Sequence, residues 1–421
     1  MKQLIALFFC LILLIPASIF AEEVEISLWT YPIGGWGSEE SVRPIIDAFN
    51  AVHPEITISV RYLDYTSGDD LVAAAIDSDT MPDIIMEGPE RLVANWSTTG
   101  KMLDISDLWN DTVTSDIVAA SPAVEAACRN VEGIYYEYPL CMTTHCMVIN
   151  YNDFEAAGAL QYIDELTHTW TTDDFISALD ALVAAGFSPT GIVYCGGQGG
   201  DQGTRALVTN LYSDHFTNEA HTAYTMGDEG NLKALHLLQN LVHEGKLEAG
   251  PDFVAADEIS LFCDSTLSLC FCWNASAALS NKASLAEDVR VFPMAFPSDD
   301  GFPELQSGIW GFGLFDHGDA TRAAAAKEFV KFVCDDPVQA KESVFISGFF
   351  PTRFSLGDIY AGTDKEENGE YAIFTPLLGD YYQVTKNWAE QRTEWWNLLK
   401  RIFAGGDVET EVAVYLDHVN Q

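Results

Sequence analysis

The sequence predicts an α/β fold, because strand, helix and turn signals repeat in a fixed order near the start of the chain. A β-rich run at 24–31 is followed by an amphipathic helical pattern at 42–52 and an alternating strand at 56–62. A short helical pattern at 71–76 then precedes the apolar run at 83–86. This β-α-β-α-β order is typical of a parallel sheet covered by helices.

Three residues set the expected limits of the first helix. Ser41 is a suitable N-cap, and Pro44 would then lie in the first turn, where a missing N–H loses no intrahelical bond. Pro54 would end the helix. We therefore expect a helix that begins after Ser41 and stops before Pro54.

Aromatic and charged residues follow the first and third predicted strands. Ligands of open α/β sheets lie beyond the carboxyl ends of the strands. The residues at these ends include Trp29, Tyr31, Trp36, Glu87 and Arg91. Aromatic rings stack on the C–H faces of a sugar, and charged groups hydrogen-bond its hydroxyls. The pattern therefore favours a polyhydroxylated ligand.

Several motifs resemble one family of receptors. They are the leading strand with Trp29, the turn at 51–56, the run Met81-Pro82-Asp83-Ile84-Ile85 before Glu87, and later motifs that cover nearly the whole chain. In these motifs the chain resembles the family 1 extracellular solute-binding proteins, the receptor subunits of ABC sugar importers. The resemblance implies a two-lobed periplasmic-binding-protein-like fold, type II-like. Each lobe would be a mainly parallel sheet flanked by helices, with the ligand cleft between the lobes.

The length of the chain and the resemblance together predict its division. About 400 residues are too many for one ordinary hydrophobic core. We expect a signal peptide at 1–21, an N-terminal lobe of 22–142 plus about 296–350, and a C-terminal lobe of 143–295 plus about 351–421.

The first residues have the composition of an export signal. Lys2 gives a positive start, residues 4–15 form an apolar core, and Ala21 offers a cleavage site before Glu22. The apolar core is too short for a spanning helix. Cys10 lacks the small residue expected just before a lipidated cysteine. We therefore expect a protein that is soluble after cleavage and is periplasmic or extracellular.

The charge of the chain excludes some partners. It has 63 acidic and 21 basic residues, which argues against a nucleic acid or an anionic membrane. The acidity is compatible with a cationic ligand such as a polyamine, or with a solubilising surface, since the acids are scattered.

The cysteine pattern leaves the redox state open. Eight cysteines follow the signal segment, an even number that permits disulfides in an exported protein, although buried free thiols also pack as small apolar residues. Cys141, His145 and Cys146 lack the spacing of a zinc site, so no metal is expected.

The resemblance adds candidate ligand contacts in the later part of the chain. It places Thr143, Trp273 and Phe349 at or near the ligand, and we add Trp310 and Arg353 as candidate contacts, with the aromatic rings stacking on the ligand and the charged group fixing its orientation. A packing role is the alternative for Trp273, and backbone hydrogen bonding by an ordinary strand pair is the alternative for Thr143.

A glycine-rich segment at 196–205 enters a helix but fits neither a Walker A loop nor a dinucleotide fingerprint. It is either a mobile loop that carries Asp201 and Arg205 to the cleft or a plain surface loop.

These patterns lead to one expected function and several alternatives. We expect a monomeric receptor without cofactor, metal or catalytic residues, which captures a carbohydrate, and specifically an oligosaccharide, for an ABC permease. A receptor for glycerol phosphate or a polyamine is the alternative within the binding class. A secreted glycoside hydrolase is a remote alternative, because Glu87 and Glu90 could flank a scissile bond.

Overall fold

A computed structural model describes residues 23–65, 67–196 and 201–421. The signal segment and the centre of the glycine-rich segment, 197–200, lie outside the described residues. The β-strands of the described part are β1 (Val24–Thr30), β2 (Ile56–Tyr62), β3 (Ile84–Glu87), β4 (Tyr138–Thr144), β5 (Cys146–Asn150), β6 (Ile192–Tyr194), β7 (Glu248–Gly250), β8 (Leu269–Trp273), β9 (Val291–Met294), β10 (Ser307–Leu314) and β11 (Phe350–Pro351).

Helices alternate with these strands along most of the chain. The α-helices of the same described ranges are α1 (Glu39–Val52), α2 (Gly68–Asp77), α3 (Pro89–Leu92), α4 (Asp111–Ala120), α5 (Pro122–Ala127), α6 (Tyr151–Ala157), α7 (Thr172–Ala185), α8 (Asp201–Leu211), α9 (Glu229–His243), α10 (Ala255–Cys263), α11 (Ala275–Asn281), α12 (Ala320–Asp335), α13 (Pro337–Ser347), α14 (Trp388–Phe403) and α15 (Val408–Val419). The predicted β-α-β-α-β order is confirmed as β1-α1-β2-α2-β3.

The first helix begins earlier than expected. Ser38, not Ser41, is the N-cap, and its Oγ accepts a hydrogen bond from the Ser41 backbone N–H at 3.3 Å. Pro44 therefore lies inside the helix and not in its first turn. Ser38 has an extended backbone, and acidic residues follow it directly, which suits the positive end of the helix dipole.

The larger sheet contains the first three strands. Its order in the described chain is β11-β4-β10-β3-β1-β2. Strand β1 runs parallel to β2 and β3, whereas β10 runs antiparallel to β3 and to β4. Because β1 and β3 are parallel and adjacent, the residues that follow them lie at the same edge of the sheet.

The described chain also contains a three-stranded sheet and a two-stranded sheet. One has the order β8-β5-β9 with antiparallel pairing, and β6 pairs with β7 in parallel. The α/β class is confirmed, but strand directions are more mixed than the mainly parallel sheets that we expected. Local strand patterns do not reveal direction, which depends on pairing between distant segments.

The chain passes between the sheets within a few residues. Strand β4 ends at Thr144 in the larger sheet, and β5 begins at Cys146 in the antiparallel sheet. The chain returns between β9 and β10. Two hydrophobic cores result: the first lies around β1–β3 and includes Leu28, and the second lies around β5 and β8 and includes Trp395 of α14.

The eight described cysteines are buried free thiols, namely Cys128, Cys141, Cys146, Cys195, Cys263, Cys270, Cys272 and Cys334. Among the described helices, none has the length and apolar character needed to cross a membrane.

Candidate functional site

A charged cluster lies at the carboxyl ends of β1 and β3. The Arg91 guanidinium donates to both Asp69 carboxylate oxygens, at 2.8 Å from Nε and 3.0 Å from Nη2, and to Glu87 Oε1 at 3.2 Å from Nη1. Tyr31 donates its hydroxyl to Asp69 Oδ1 at 2.6 Å. Burial opposes ionisation of Asp69, but the hydrogen bonds from Arg91 and Tyr31 bring its pKa below the ordinary value. This network fixes the position of Arg91.

An aromatic platform adjoins this cluster. The rings of Tyr31 and Tyr65 are stacked, with centroids 5.1 Å apart, and the Arg91 guanidinium carbon lies 5.3 and 5.5 Å from these two centroids. Tyr31 is buried, whereas Tyr65 is 49% exposed and therefore available to a ligand. Gly68 is needed here, because a Cβ at this position would lie 2.8 Å from the Tyr31 hydroxyl oxygen.

Two glutamates close to the ends of β3 and β4 are buried. Glu87 and Glu137 are 1% and 0% exposed. Burial raises the pKa of Glu87 to about 7, although the charge of Arg91 opposes this shift. Burial, together with the charges of Glu90 and Glu87, raises the pKa of Glu137 well above its ordinary value. These carboxyl groups therefore hold protons more strongly than carboxyl groups in water.

Residues of the second core form the opposite wall. Tyr381 donates its hydroxyl to Glu90 Oε2 at 2.8 Å. The Arg205 guanidinium carbon lies 4.8 Å from the ring centroid of Trp388. A cavity of about 350 Å³ lies between the two walls and is lined by Asp69, Glu90, Arg91, Ala94, Asn95, Thr385, Lys386, Asn387, Trp388 and Arg392.

A second cavity continues the first. Its volume is about 670 Å³, and Ala94 and Lys386 line both cavities. Arg129, which follows α5, and His221, which lies between α8 and α9, also line the second cavity. The two cavities are therefore neighbours.

Known proteins share the fold of this chain. The profile of the bacterial extracellular solute-binding proteins matches residues 35–340. The chain belongs to this family. Its relatives of known structure are binding proteins, and no match is found among curated proteins.

Three solved structures illustrate the shared fold. The sugar-binding protein MalE from Xanthomonas citri has a TM-score of 0.76 at 14% identity, over 94% of this chain and 96% of that one. A cyclic α-maltosyl-1,6-maltose binding protein from Arthrobacter globiformis has a TM-score of 0.72 at 18% identity, over 94% and 98%. An ABC substrate-binding protein from Listeria monocytogenes in complex with cycloalternan has a TM-score of 0.68 at 16% identity, over 95% and 98%. These likenesses confirm the two-lobed solute-binding fold.

The structure places four of the residues predicted from sequence at or next to residues that line the first cavity. Tyr31, Glu87 and Arg91 form the charged cluster, and Arg205 supports the Trp388 ring on the opposite wall. Asp201 begins α8, but its side chain lies outside the described residues.

Other predicted aromatic residues pack inside the lobes. Trp36 is buried and donates from Nε1 to the Ser343 carbonyl oxygen at 2.9 Å. Trp273 is buried and donates from Nε1 to the Tyr371 hydroxyl at 2.8 Å. Trp29 is half-buried on β1.

The remaining predicted residues surround β4. Trp310 and Phe349 are stacked on each other, with centroids 4.6 Å apart. Arg353 donates from Nη1 to the Pro139 carbonyl oxygen and from Nη2 to Asp335 Oδ1, each at 3.1 Å. Thr143 is buried on β4. Arg353 thus supplies a hydrogen-bond donor to the backbone of β4 at Pro139, where the pairing of β4 with β10 is irregular.

Sequence reasoning missed several residues in and near the first cavity. Asp69, Trp388 and Arg392 line it, Tyr65 stacks on Tyr31, and Tyr381 bonds Glu90. Asp69 has a local pattern, since it lies in the first turn of α2, but this pattern also describes ordinary helix capping. Tyr381 and Trp388 lie about 300 residues from Arg91, so only the fold brings them near it. In the described ranges, no cluster of His, Cys, Asp and Glu is arranged to hold a metal ion.

Proposed function

We propose that this protein is the substrate-binding component of an ABC transporter, which captures an oligosaccharide and delivers it to a membrane permease. The observation that carries the proposal is the exposed Tyr65 ring, held next to the fixed guanidinium of Arg91, which lines the first cavity. An exposed aromatic face stacks on a sugar ring, while a positioned Arg91 donates to its hydroxyls. Trp388 on the opposite wall offers a second ring.

The ligands named for similar solved structures support a carbohydrate ligand. MalE from Xanthomonas citri is a sugar-binding protein, and the Listeria monocytogenes structure contains cycloalternan. The two connected cavities, about 350 and 670 Å³, offer room for several sugar rings in a row. An oligosaccharide therefore suits this cleft better than a single sugar.

The lobe boundaries are part of the proposal. We assign 22–142 plus about 296–350 to the N-terminal lobe, and 143–295 plus about 351–421 to the C-terminal lobe. The chain changes sheet between Thr144 and Cys146, just after the first of these limits, and returns before β10, which supports a division near them. The hydrogen bond from Tyr381 to Glu90 would then join the lobes when the cleft closes.

The cellular setting is proposed from the sequence. Residues 1–21 act as a signal peptide, so the receptor works as a soluble periplasmic or extracellular monomer beside its permease. We assign Tyr31, Glu87, Arg91 and Arg205 to the cleft. We assign packing roles to Trp36, Trp273 and Arg353, because their polar atoms already bond within the protein.

Binding without turnover is proposed. A glycoside hydrolase needs two carboxyl groups that flank the scissile bond. Glu87 instead bonds Arg91 and the backbone N–H of Gly88, and Glu90 bonds Tyr381. The family's role in binding also favours a receptor.

The experiment is a ligand panel read by tryptophan fluorescence and thermal shift. The chain contains 10 tryptophans, and Trp388 lies in the cleft. The panel contains mono- and oligosaccharides, glycerol phosphate and polyamines. A saturable fluorescence change and a raised melting temperature with an oligosaccharide, without its breakdown, are expected.

Matched variants locate the response. Arg91→Gln should weaken oligosaccharide binding at least tenfold, because it removes the positioned donors. Arg61→Gln is the control, since Arg61 lies over the Trp29 ring on the neighbouring strand and not in the cleft. A response to glycerol phosphate or a polyamine alone, or slow release of sugar fragments, would contradict the proposal.

A further inference from the structure

Two histidines of the described chain have a left-handed backbone, which residues with a Cβ atom rarely adopt. Their φ angles are 55° at His168 and 52° at His221. The ring of His168 is stacked on Phe292, with centroids 4.5 Å apart, and its Nδ1 donates to the Pro293 carbonyl oxygen at 2.7 Å. His221 instead lines the second cavity. A strained backbone at a cavity, without such packing, indicates a functional position.

The second cavity joins two distant parts of the chain. Its lining comes from residues within 93–98 and 126–132 and from residues within 219–222 and 384–386. The first two segments precede β4, and the last two follow α8. The lining combines aliphatic side chains with hydroxyl and charged groups. A sugar offers the same mixture of C–H faces and hydroxyl groups, so the cavity suits a sugar unit.

Asp380 fixes the orientation of the His221 ring. The Nε2 atom of His221 lies 2.8 and 2.7 Å from the two carboxylate oxygens of Asp380. Because a carboxylate only accepts, Nε2 carries a proton and donates it. Asp380 lines a different cavity, next to Thr209 and Asn210 of α8. The edge of the ring that carries Nδ1 is therefore the edge available to the second cavity.

The loop that carries His221 is held by its own hydrogen bonds. The His221 backbone N–H donates to the Asn218 carbonyl oxygen at 2.9 Å, and the Thr222 backbone N–H donates to Asn218 Oδ1 at 2.8 Å. An antiparallel bridge between Thr217 and Tyr224 closes the loop. No hydrogen bond from the described part of the chain reaches Nδ1 of His221. The ring is thus positioned in advance, which reduces the entropy lost when a ligand bonds Nδ1.

We propose that His221 is a specificity-determining residue of the second cavity, where its Nδ1 bonds a hydroxyl group on the distal unit of an oligosaccharide. A hydroxyl both donates and accepts, so it suits Nδ1 of a neutral and of a protonated ring. This proposal rests on the oligosaccharide-receptor function proposed above and deepens it. Ala94 and Lys386 line both cavities, so a ligand that outgrows the first cavity reaches His221 past them. The protein would then distinguish oligosaccharides by length.

The test compares long and short members of one oligosaccharide series. Isothermal titration calorimetry of the full chain uses malto-, cello-, xylo- and manno-oligosaccharides, from the disaccharide to the hexasaccharide. His221→Asn is expected to weaken binding of the hexasaccharide about fivefold, because one hydrogen bond is lost. The affinity for the shortest member that binds should not change, since the first cavity, with Arg91 and Trp388, holds it.

A matched variant separates ligand contact from support of the fold. Asparagine tolerates the left-handed conformation, so His221→Asn should leave the melting temperature unchanged or raise it. His168→Asn is the control, because the backbone there is also left-handed but the ring packs on Phe292. It should lower the melting temperature and leave the hexasaccharide affinity unchanged. If His221→Asn does not fold, His221→Gly provides a second variant without the imidazole.

Other outcomes contradict the proposal in distinguishable ways. If His221→Asn binds the hexasaccharide as tightly as the parent protein, or loses affinity equally for long and short members, His221 does not contact a distal unit. If Arg91→Gln still weakens binding in that case, the receptor function stands and this inference alone fails. If the parent protein binds no member of any series, the function proposed above fails together with this inference.

Discussion

Two fully buried glutamates, one associated with each core, have opposite surroundings. Glu258 on α10 accepts hydrogen bonds from the backbone N–H groups of Phe271 at 2.8 Å and Cys272 at 3.1 Å, and from the Cys270 thiol at 3.3 Å. Glu137 is equally buried, but the described chain offers its oxygens no donor. Burial alone therefore does not show whether a carboxyl group has hydrogen-bond donors within the protein.

The pairing of β8 explains the environment of Glu258. Cys146 is in register with Trp273 and Val148 with Cys270, so two residues of β8 lie opposite one residue of β5. Such a bulge leaves backbone groups outside the ladder. Glu258 accepts from the two amides of the bulge, and it thereby completes the strand. No comparable backbone requirement accounts for Glu137 among the described contacts.

The largest expected effect on stability comes from replacing Glu258, whose carboxyl group accepts three hydrogen bonds. Glu258→Met should lower the free energy of unfolding by roughly 3 kcal/mol or more, because two buried N–H groups lose their acceptor. Urea denaturation measures this loss. Glu287→Met, at an exposed position, should change stability by about 0.5 kcal/mol or less. A loss below about 1 kcal/mol for Glu258→Met would mean that the bulge does not need the carboxylate.

Stability should also fall as pH rises through neutrality. Burial raises the pKa of Glu258 to about 8 and that of Glu87 to about 7, both above the ordinary glutamate value of 4.5. The folded protein therefore retains protons that the unfolded chain has released. This stabilisation is complete below about pH 4.5 and disappears as pH rises through the folded pKa values.

Denaturation midpoints measured from about pH 5 to about pH 9 test this dependence, and a loss of about 2 kcal/mol or more is expected. Glu87→Gln, which is neutral at every pH, should flatten the profile near pH 7. A stability that rises over this range would contradict the assignment.

The contrast is sharpest when the same substitution is made at both glutamates. Glu137→Met should raise the free energy of unfolding by about 1 to 2 kcal/mol, because it replaces a buried carboxyl group without a partner by an apolar side chain of similar volume. Urea denaturation of the ligand-free protein measures the gain. A loss as large as that of Glu258→Met would show that Glu137 also supports the fold.

The smallest expected effect concerns the contact between the two walls. Tyr381→Phe should cost about 1 kcal/mol, because it removes only the hydrogen bond to Glu90. Tyr151→Phe is the control, since the Tyr151 hydroxyl bonds Glu165 at an exposed position. If both variants match the parent protein in denaturation, the Tyr381 contact does not contribute to the stability of this arrangement.

The sequence by itself determined the secondary structure and part of one wall of the cleft. The periodicity of residues 42–52 and the alternation at 56–62 predicted α1 and β2, because burial on one face imposes these patterns on neighbouring residues. The rule for the carboxyl ends of parallel strands brought Tyr31, Glu87 and Arg91 together. The family resemblance then predicted the two-lobed fold that the comparisons confirm.

The tertiary structure decided which side chains face the cleft. Trp36 and Trp273 occupy turns and strand ends like those of ligand-binding aromatics, yet their rings are buried and their N–H groups bond within the protein. Tyr381 reaches Glu90 only because the chain after β11 packs into the second core beside α3. Long-range pairing and packing determine such contacts, and no local pattern around Glu137 or Tyr381 records them.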